Sequence, residues 1–213
     1  MTVRHAQQPG QVKAPTAARL LIVGPQGSGK GTQGVRIAEE FGIPVVSTGD
    51  VFRSNIAEGT PLGKQVKEIV DGGDLVPDEL TSEIVRDRLS QDDAAHGFLL
   101  DGYPRNTTQV GHLEDFLAGR GDALDAVIEL AVPREESIER LKLRAAEQGR
   151  TDDSEAAIAR RLDIYERETA PILAAYREQG IVDTVDGVGS LDDITTRIIA
   201  ALEARGLVRR AAA

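Results

Sequence analysis

Two hydrophobic patterns alternate along the chain from Leu20 onward. Short runs such as Leu20-Leu21-Ile22-Val23, Phe98-Leu99-Leu100, Ala126-Val127-Ile128-Glu129-Leu130 and Ile181-Val182-Asp183-Thr184-Val185 are mostly β-branched or Leu, and are bounded by Gly, Asp or Pro. Such runs predict buried strands, and Ile43 to Val46 supplies a fifth. Between them apolar residues recur at helical spacing, at Val35, Ile37, Ala38 and Phe41 and again at Leu80, Ile84, Val85 and Leu89, and the patterns close at Gly42 and Ser90-Gln91. These predict helices that cover the strands. Strands alternating with helices require crossover connections, so the expected fold is three-layer α/β with a mostly parallel sheet.

Two stretches depart from this rhythm. Thr48 to Val76 contains no strand pattern and breaks at Gly59-Thr60-Pro61 and Gly72-Gly73, which predicts a small helical lobe (about 47–76) on the sheet. Arg144 to Asp153 is polar and too short for a domain, and reads as a mobile loop between two helices. Residues 1–18 carry neither apolar periodicity nor the apolar segment of a secretory signal, and read as a disordered leader. The expectation is one domain over residues 19–208, with a short tail at 209–213.

Composition narrows the chemistry. The 213 residues include no cysteine, which removes disulfides, Cys-ligated zinc and thiol nucleophiles and fits a reducing compartment. A net charge of -10 argues against a general grip on nucleic acid or anionic lipid, so any anionic ligand must meet a local cluster of cations. Aromatic residues make up only 3%, and no apolar run approaches the ~20 residues of a membrane span.

The local cluster begins at Gly24-Pro-Gln-Gly-Ser-Gly-Lys-Gly-Thr32, which follows the first strand and precedes a helical pattern. A glycine-rich loop in that setting turns its N–H groups inward beside a positive helix N-terminus, and Lys30 adds a charge for the outer phosphates. Gly31 stands where the general phosphate-loop pattern has Ser or Thr, and the hydroxyl comes one place later at Thr32. A Mg²⁺ ion would therefore rely on phosphates, water and an acidic strand end, and Asp101 directly follows Phe98-Leu99-Leu100.

Residues 24–32, Ser47 to Arg53 (STGD-x-x-R), Leu75 to Glu79 (LVPDE) and Asp101 to Arg105 (DGYPR) together resemble the adenylate kinases among the nucleoside monophosphate kinases, from about Arg19 to about Arg205. The resemblance implies a three-layer P-loop kinase fold with a five-stranded parallel sheet, a small helical lobe that binds the nucleoside monophosphate, and a short lid at about 144–153. It also implies reversible transfer of the γ-phosphoryl group of Mg²⁺·ATP to AMP in a monomeric, cytoplasmic enzyme that binds no nucleic acid or membrane and has no lid zinc.

On the same ground Gly27, Ser28, Gly29, Lys30, Gly31 and Thr32 would hold ATP, with Arg140 against its adenine and Arg144 on its phosphates. Arg53 and Arg105 would grip the phosphate of AMP, while Thr48, Leu75, Val76, Gly102 and Gln109 would surround its base and sugar. Arg150 and Arg161 would close over the transferring group, Asp152 and Asp153 would shape the closed state, and Asp101 would hold Mg²⁺ through water. Two positions depart from the family pattern: Gln26 replaces its usual Pro and Leu143 its usual Gly. Asn106 matches the related UMP/CMP kinases, so the same chemistry on UMP or CMP stays open, as does a nucleotide-binding protein without turnover. The cations give a check: Lys30, Arg53, Arg105, Arg140, Arg144, Arg150 and Arg161 must surround one cleft inside an otherwise acidic body.

Overall fold

The computed structural model of the chain describes residues 18–148 and 153–210. Strands β1 (Ala18–Val23), β2 (Val45–Ser47), β3 (Gly97–Asp101), β4 (Ala126–Ala131) and β5 (Val182–Asp186) form one sheet in the order β2-β3-β1-β4-β5, with every pair parallel. The helices are α1 (Lys30–Phe41), α2 (Thr48–Glu58), α3 (Pro61–Asp71), α4 (Asp78–Leu89), α5 (Thr107–Ala118), α6 (Arg134–Gln148), α7 (Glu155–Ile164), α8 (Ile172–Glu178) and α9 (Leu191–Ala204).

The pleat of the central strands divides the core in two. Leu20, Ile22, Leu99 and Ile128 face Ile37 and Phe41 of α1 and Ile194, Ile198 and Leu202 of α9. Leu21, Val23, Leu100 and Val127 face Val85 and Leu89 of α4, Leu113 and Leu117 of α5, and Tyr176 of α8. Because both faces are covered, the strands read as continuous apolar runs without a period of two. β2 starts at Val45, two residues later than the sequence pattern suggests. Pro44 has no N–H and contributes only its carbonyl, which accepts from Leu99 N at 2.9 Å.

α2 and α3 pack around a small core of Phe52, Val66 and Val76. Their contact is close enough that a Cβ at Gly63 would lie 2.0 Å from the Asn55 carbonyl oxygen. Thr60 sets the entry to α3, its hydroxyl accepting from Gly63 N at 3.0 Å.

Two sequence expectations need correction. The stretch read as a loop from Arg144 is helical through Gln148, because Arg-Ala-Ala-Glu-Gln are strong helix formers and no breaker intervenes before Gly149. Val35 is 49% exposed, whereas Gln33 and Gly34 take the inward face of α1. Gln33 is satisfied there by α9: its Nε2 donates to Leu191 O at 3.0 Å and its Oε1 accepts from Thr195 Oγ1 at 2.8 Å.

Candidate active site

β1 ends at Val23, and the chain turns through residues 24–29 into α1. Gly27 (φ 82°) and Gly29 (φ 94°) occupy left-handed backbone that glycine adopts at little cost. Gly29 caps α1 without a side chain, so the first N–H groups of the helix are left for a ligand. Gly27 fits tightly against α6, where a Cβ would lie 2.4 Å from the Ser137 carbonyl oxygen and 2.9 Å from Leu141 Cγ. Lys30 folds back on the loop, its Nζ donating to the carbonyls of Gly24 (2.7 Å) and Pro25 (2.8 Å).

β3 pairs beside β1 with Ile22 opposite Asp101, which brings the Asp101 carboxylate to the mouth of the loop. A Cβ at Gly31 would lie 3.8 Å from its Oδ2. Burial raises the carboxyl pKa above its usual range, and the charges of Lys30 and Arg105 oppose that rise only in part. Burial likewise lowers Lys30 to about 8; Asp101 opposes the drop, while Arg105, Arg144 and Arg161 add to it by repulsion. An oxygen donor of this kind beside a phosphate site suits Mg²⁺, which favours one or two carboxylates plus phosphate oxygens and water.

These elements open on a cleft of about 690 Å³, whose walls include Lys30, Arg53, Arg105, Arg140, Arg144 and Arg161 together with Gly27, Ser28, Gly29, Gly31, Thr32 and Asp101. Four of these six cations are held by carboxylates. Arg144 makes a two-pronged contact with Asp153 (2.7 Å to each oxygen), and Arg161 reaches the same carboxylate at 3.1 Å. Arg140 is braced by Glu136 at 2.7 Å, one helical turn earlier, and Arg53 by Asp50 at 2.5 Å. Arg105 is oriented by main chain instead: its Nε donates to Gly102 O at 2.7 Å. Burial, then the neighbouring Arg161, lowers its pKa to about 10. Six cations and three carboxylates, Asp50, Asp101 and Glu136, line this cleft, so its charge is net positive and its natural complement is polyphosphate.

A narrower pocket of about 50 Å³ adjoins the cleft through Gly49, Arg53, Gly102, Arg105 and Arg161. Thr48, Leu75, Val76 and Gln109 line it, so the residues assigned from sequence to a monophosphate come together within the described residues. Arg150 and Asp152 lie outside the described residues, and Asp153 is fully buried behind the guanidiniums. Leu143 is 60% exposed in the middle of α6, so this departure leaves Arg144 in the cleft wall. Asn106 has a local explanation: its Oδ1 caps α5 by accepting from Gln109 N at 2.9 Å.

The sequence reading missed Asp50, Asp78, Glu136 and Thr169. The i,i+3 and i,i+4 spacings of Asp50-Arg53 and Glu136-Arg140 were available signals. Asp78 lies inside the LVPDE motif but was given no role, and Thr169, whose Oγ1 donates to Arg105 O at 2.8 Å across 64 residues of sequence, had no signal.

A glycine-rich loop between β1 and α1 at the head of a parallel sheet, with cations from separate elements directed into one cleft, defines a P-loop phosphotransferase. The sequence model of the family described as adenylate kinase matches residues 22–181, and the chain belongs to that family. It is 56% identical over 189 residues to the adenylate kinase of Clavibacter michiganensis, covering 89% of this chain and 94% of that protein. Identity to the adenylate kinase of Leifsonia xyli is also 56%, over 89% and 95% of the two chains. The adenylate kinase of Bifidobacterium longum is 53% identical over 87% of this chain and its own full length.

Proposed function

We infer that the protein transfers the γ-phosphoryl group of ATP to AMP, reversibly, giving two ADP. The observation that carries this is the convergence of Lys30, Arg53, Arg105, Arg140, Arg144 and Arg161 on one cleft beside a second pocket lined by Thr48, Leu75, Val76 and Gln109. A monophosphate oxygen is already anionic, so the chemistry asks for alignment and charge neutralisation more than for a general base. Lys30 and the free N–H groups at the start of α1 would neutralise the donor's outer phosphates. Arg53 and Arg105 would hold the acceptor phosphate, Arg140 and Arg144 the donor, and Arg161 the transferring group between them. Asp101 would hold Mg²⁺ through water, and the ion when bound screens charge between the phosphates. A monomeric, cytoplasmic enzyme belongs to the same proposal, which the cysteine-free composition supports. Asn106, the residue that leaned toward UMP or CMP, is accounted for as the α5 cap, so the AMP reading is preferred.

The deciding assay is ADP formation from ATP plus AMP, run beside CMP, UMP and GMP. ATP binding with no ADP formed would reject the reading in favour of a nucleotide-binding protein without turnover.

The pH profile supplies a second test. Lys30 is charged below about 8 in the free site and loses its proton above that value. We expect kcat/KM for Mg²⁺·ATP to fall about tenfold per pH unit above about pH 8, because this parameter reads the free enzyme. The break in kcat should come at higher pH, since bound phosphates favour the ammonium. Lys30→Arg should remove the break, and a wild-type profile flat to pH 10 would contradict the assignment.

A further inference from the structure

We propose that Asp78 locks the side-chain amide of Gln109 in one orientation, and that this lock makes the acceptor pocket read the hydrogen-bond polarity of the base. The proposal rests on the AMP reading above and deepens it. Thr48 and Gln109 are the buried polar side chains of this pocket other than Thr81, each 2% exposed, while Phe52, Val70, Leu75 and Val76 give it apolar walls.

An amide side chain can usually rotate by half a turn and exchange its donor and acceptor ends. Gln109 is held at both ends. Its Oε1 accepts from the Arg105 main-chain N–H at 2.8 Å, and its Nε2 donates to Asp78 Oδ1 at 2.7 Å. Reversal would turn an N–H against the Arg105 N–H and a carbonyl against a carboxylate. Asp78 is itself fixed, because the same Oδ1 accepts from Asn106 Nδ2 at 2.9 Å and Asn106 in turn caps α5.

The uncommitted capacity of Gln109 is therefore one N–H at a fixed end and one carbonyl lone pair at the other. Thr48 has a single hydroxyl hydrogen and gives it to Gly102 O at 2.9 Å, so it offers a ligand only an acceptor. A locked amide pairs with adenine's order, an amino group beside a ring acceptor, or with the reverse order of hypoxanthine, a carbonyl beside a ring N–H, but not with both. With AMP as acceptor, IMP is refused although it has the same size. CMP carries adenine's order, so polarity does not exclude it and the smaller ring must be rejected by fit.

The test is kcat/KM for AMP and IMP with Mg²⁺·ATP. The wild-type protein should prefer AMP by about 10²-fold or more, because each mismatched group leaves a buried donor or acceptor unpaired. Asp78→Ala frees the amide and should cut that preference about 10-fold, whereas Asp78→Asn, its oxygen still held by Asn106, should keep it. The paired exchange Asp78→Asn with Asn106→Asp preserves charge and shape but turns an N–H toward Gln109; it should also lose the preference and serves if the alanine variant does not fold. Wild-type turnover of IMP within threefold of AMP, or an unchanged ratio in a folded Asp78→Ala or exchange variant, would overturn the proposal. Failure of the underlying reading looks different: no ADP would form with AMP at all.

Discussion

Arg105→Ala is expected to lower kcat by about 10²-fold or more, since it removes a preorganised cation from charge that develops during transfer. The arrangement around Arg105 explains the size of the effect. Its main-chain N–H is held by Gln109, its carbonyl by Thr169 and its Nε by Gly102 O, so the guanidinium reaches the cleft with little freedom left to lose. Such a group need not reorganise when substrate binds, and water does not replace it at equal strength. Arg105→Lys should recover only part of the rate, because one ammonium does not combine a bond to Gly102 with a fork toward phosphate. Stability should move the opposite way. Burial and the charge of Arg161 already disfavour the Arg105 cation, so the alanine variant is expected to melt no lower than wild type without nucleotide. Steady-state rates with thermal melts check both halves; a near wild-type rate would remove Arg105 from the mechanism.

The split between what was legible in the sequence and what was not follows the range of the interactions. The central strands were legible because both faces are covered and their apolar runs therefore carry no gaps. The phosphate loop was legible because its function is local, with glycines, a lysine and a helix start in nine consecutive residues. The α6 boundary was missed because polarity was read as looseness, although Arg144 to Gln148 is made of helix formers. The inward turn of Gln33 was missed because a glutamine is buried only when a partner exists, and its partners lie about 160 residues away on α9. The bracing carboxylates divide in the same way. Asp50 and Glu136 sit one turn from their arginines, whereas Asp153, nine residues from Arg144, was named through the resemblance alone and Asp78 meets Gln109 across 31 residues of sequence. The motifs named the cations. What aims those cations is mostly tertiary and became visible only in three dimensions.

The largest effect should come from a methyl group. Gly27→Ala is expected to reduce kcat/KM for Mg²⁺·ATP by about 10³-fold, through two penalties that act together. The backbone at Gly27 has φ 82°, which costs an L-residue about 1–2 kcal/mol. The added Cβ would also meet the Ser137 carbonyl oxygen at 2.4 Å and Leu141 Cγ at 2.9 Å, and Ser137 is wholly buried in α6. A backbone carbonyl in a helix does not swing aside as a side-chain tip does, so the loop must lift away from α6. A shift of even ~1 Å in the groups that cradle the phosphates costs about 10²-fold on its own, and the strain adds to it. Two neighbouring glycines serve as controls. Gly29 has φ 94° but open space within 4 Å of a built Cβ, so Gly29→Ala should lose only the conformational part, about tenfold. Gly31 lies in helical backbone with the Asp101 oxygen 3.8 Å away, an ordinary contact, and Gly31→Ala should stay within about threefold of wild type. The order Gly27, Gly29, Gly31 in severity separates contact with α6 from backbone strain. If Gly29→Ala proved as damaging as Gly27→Ala, strain alone would account for the loop, and α6 would have no part in holding it.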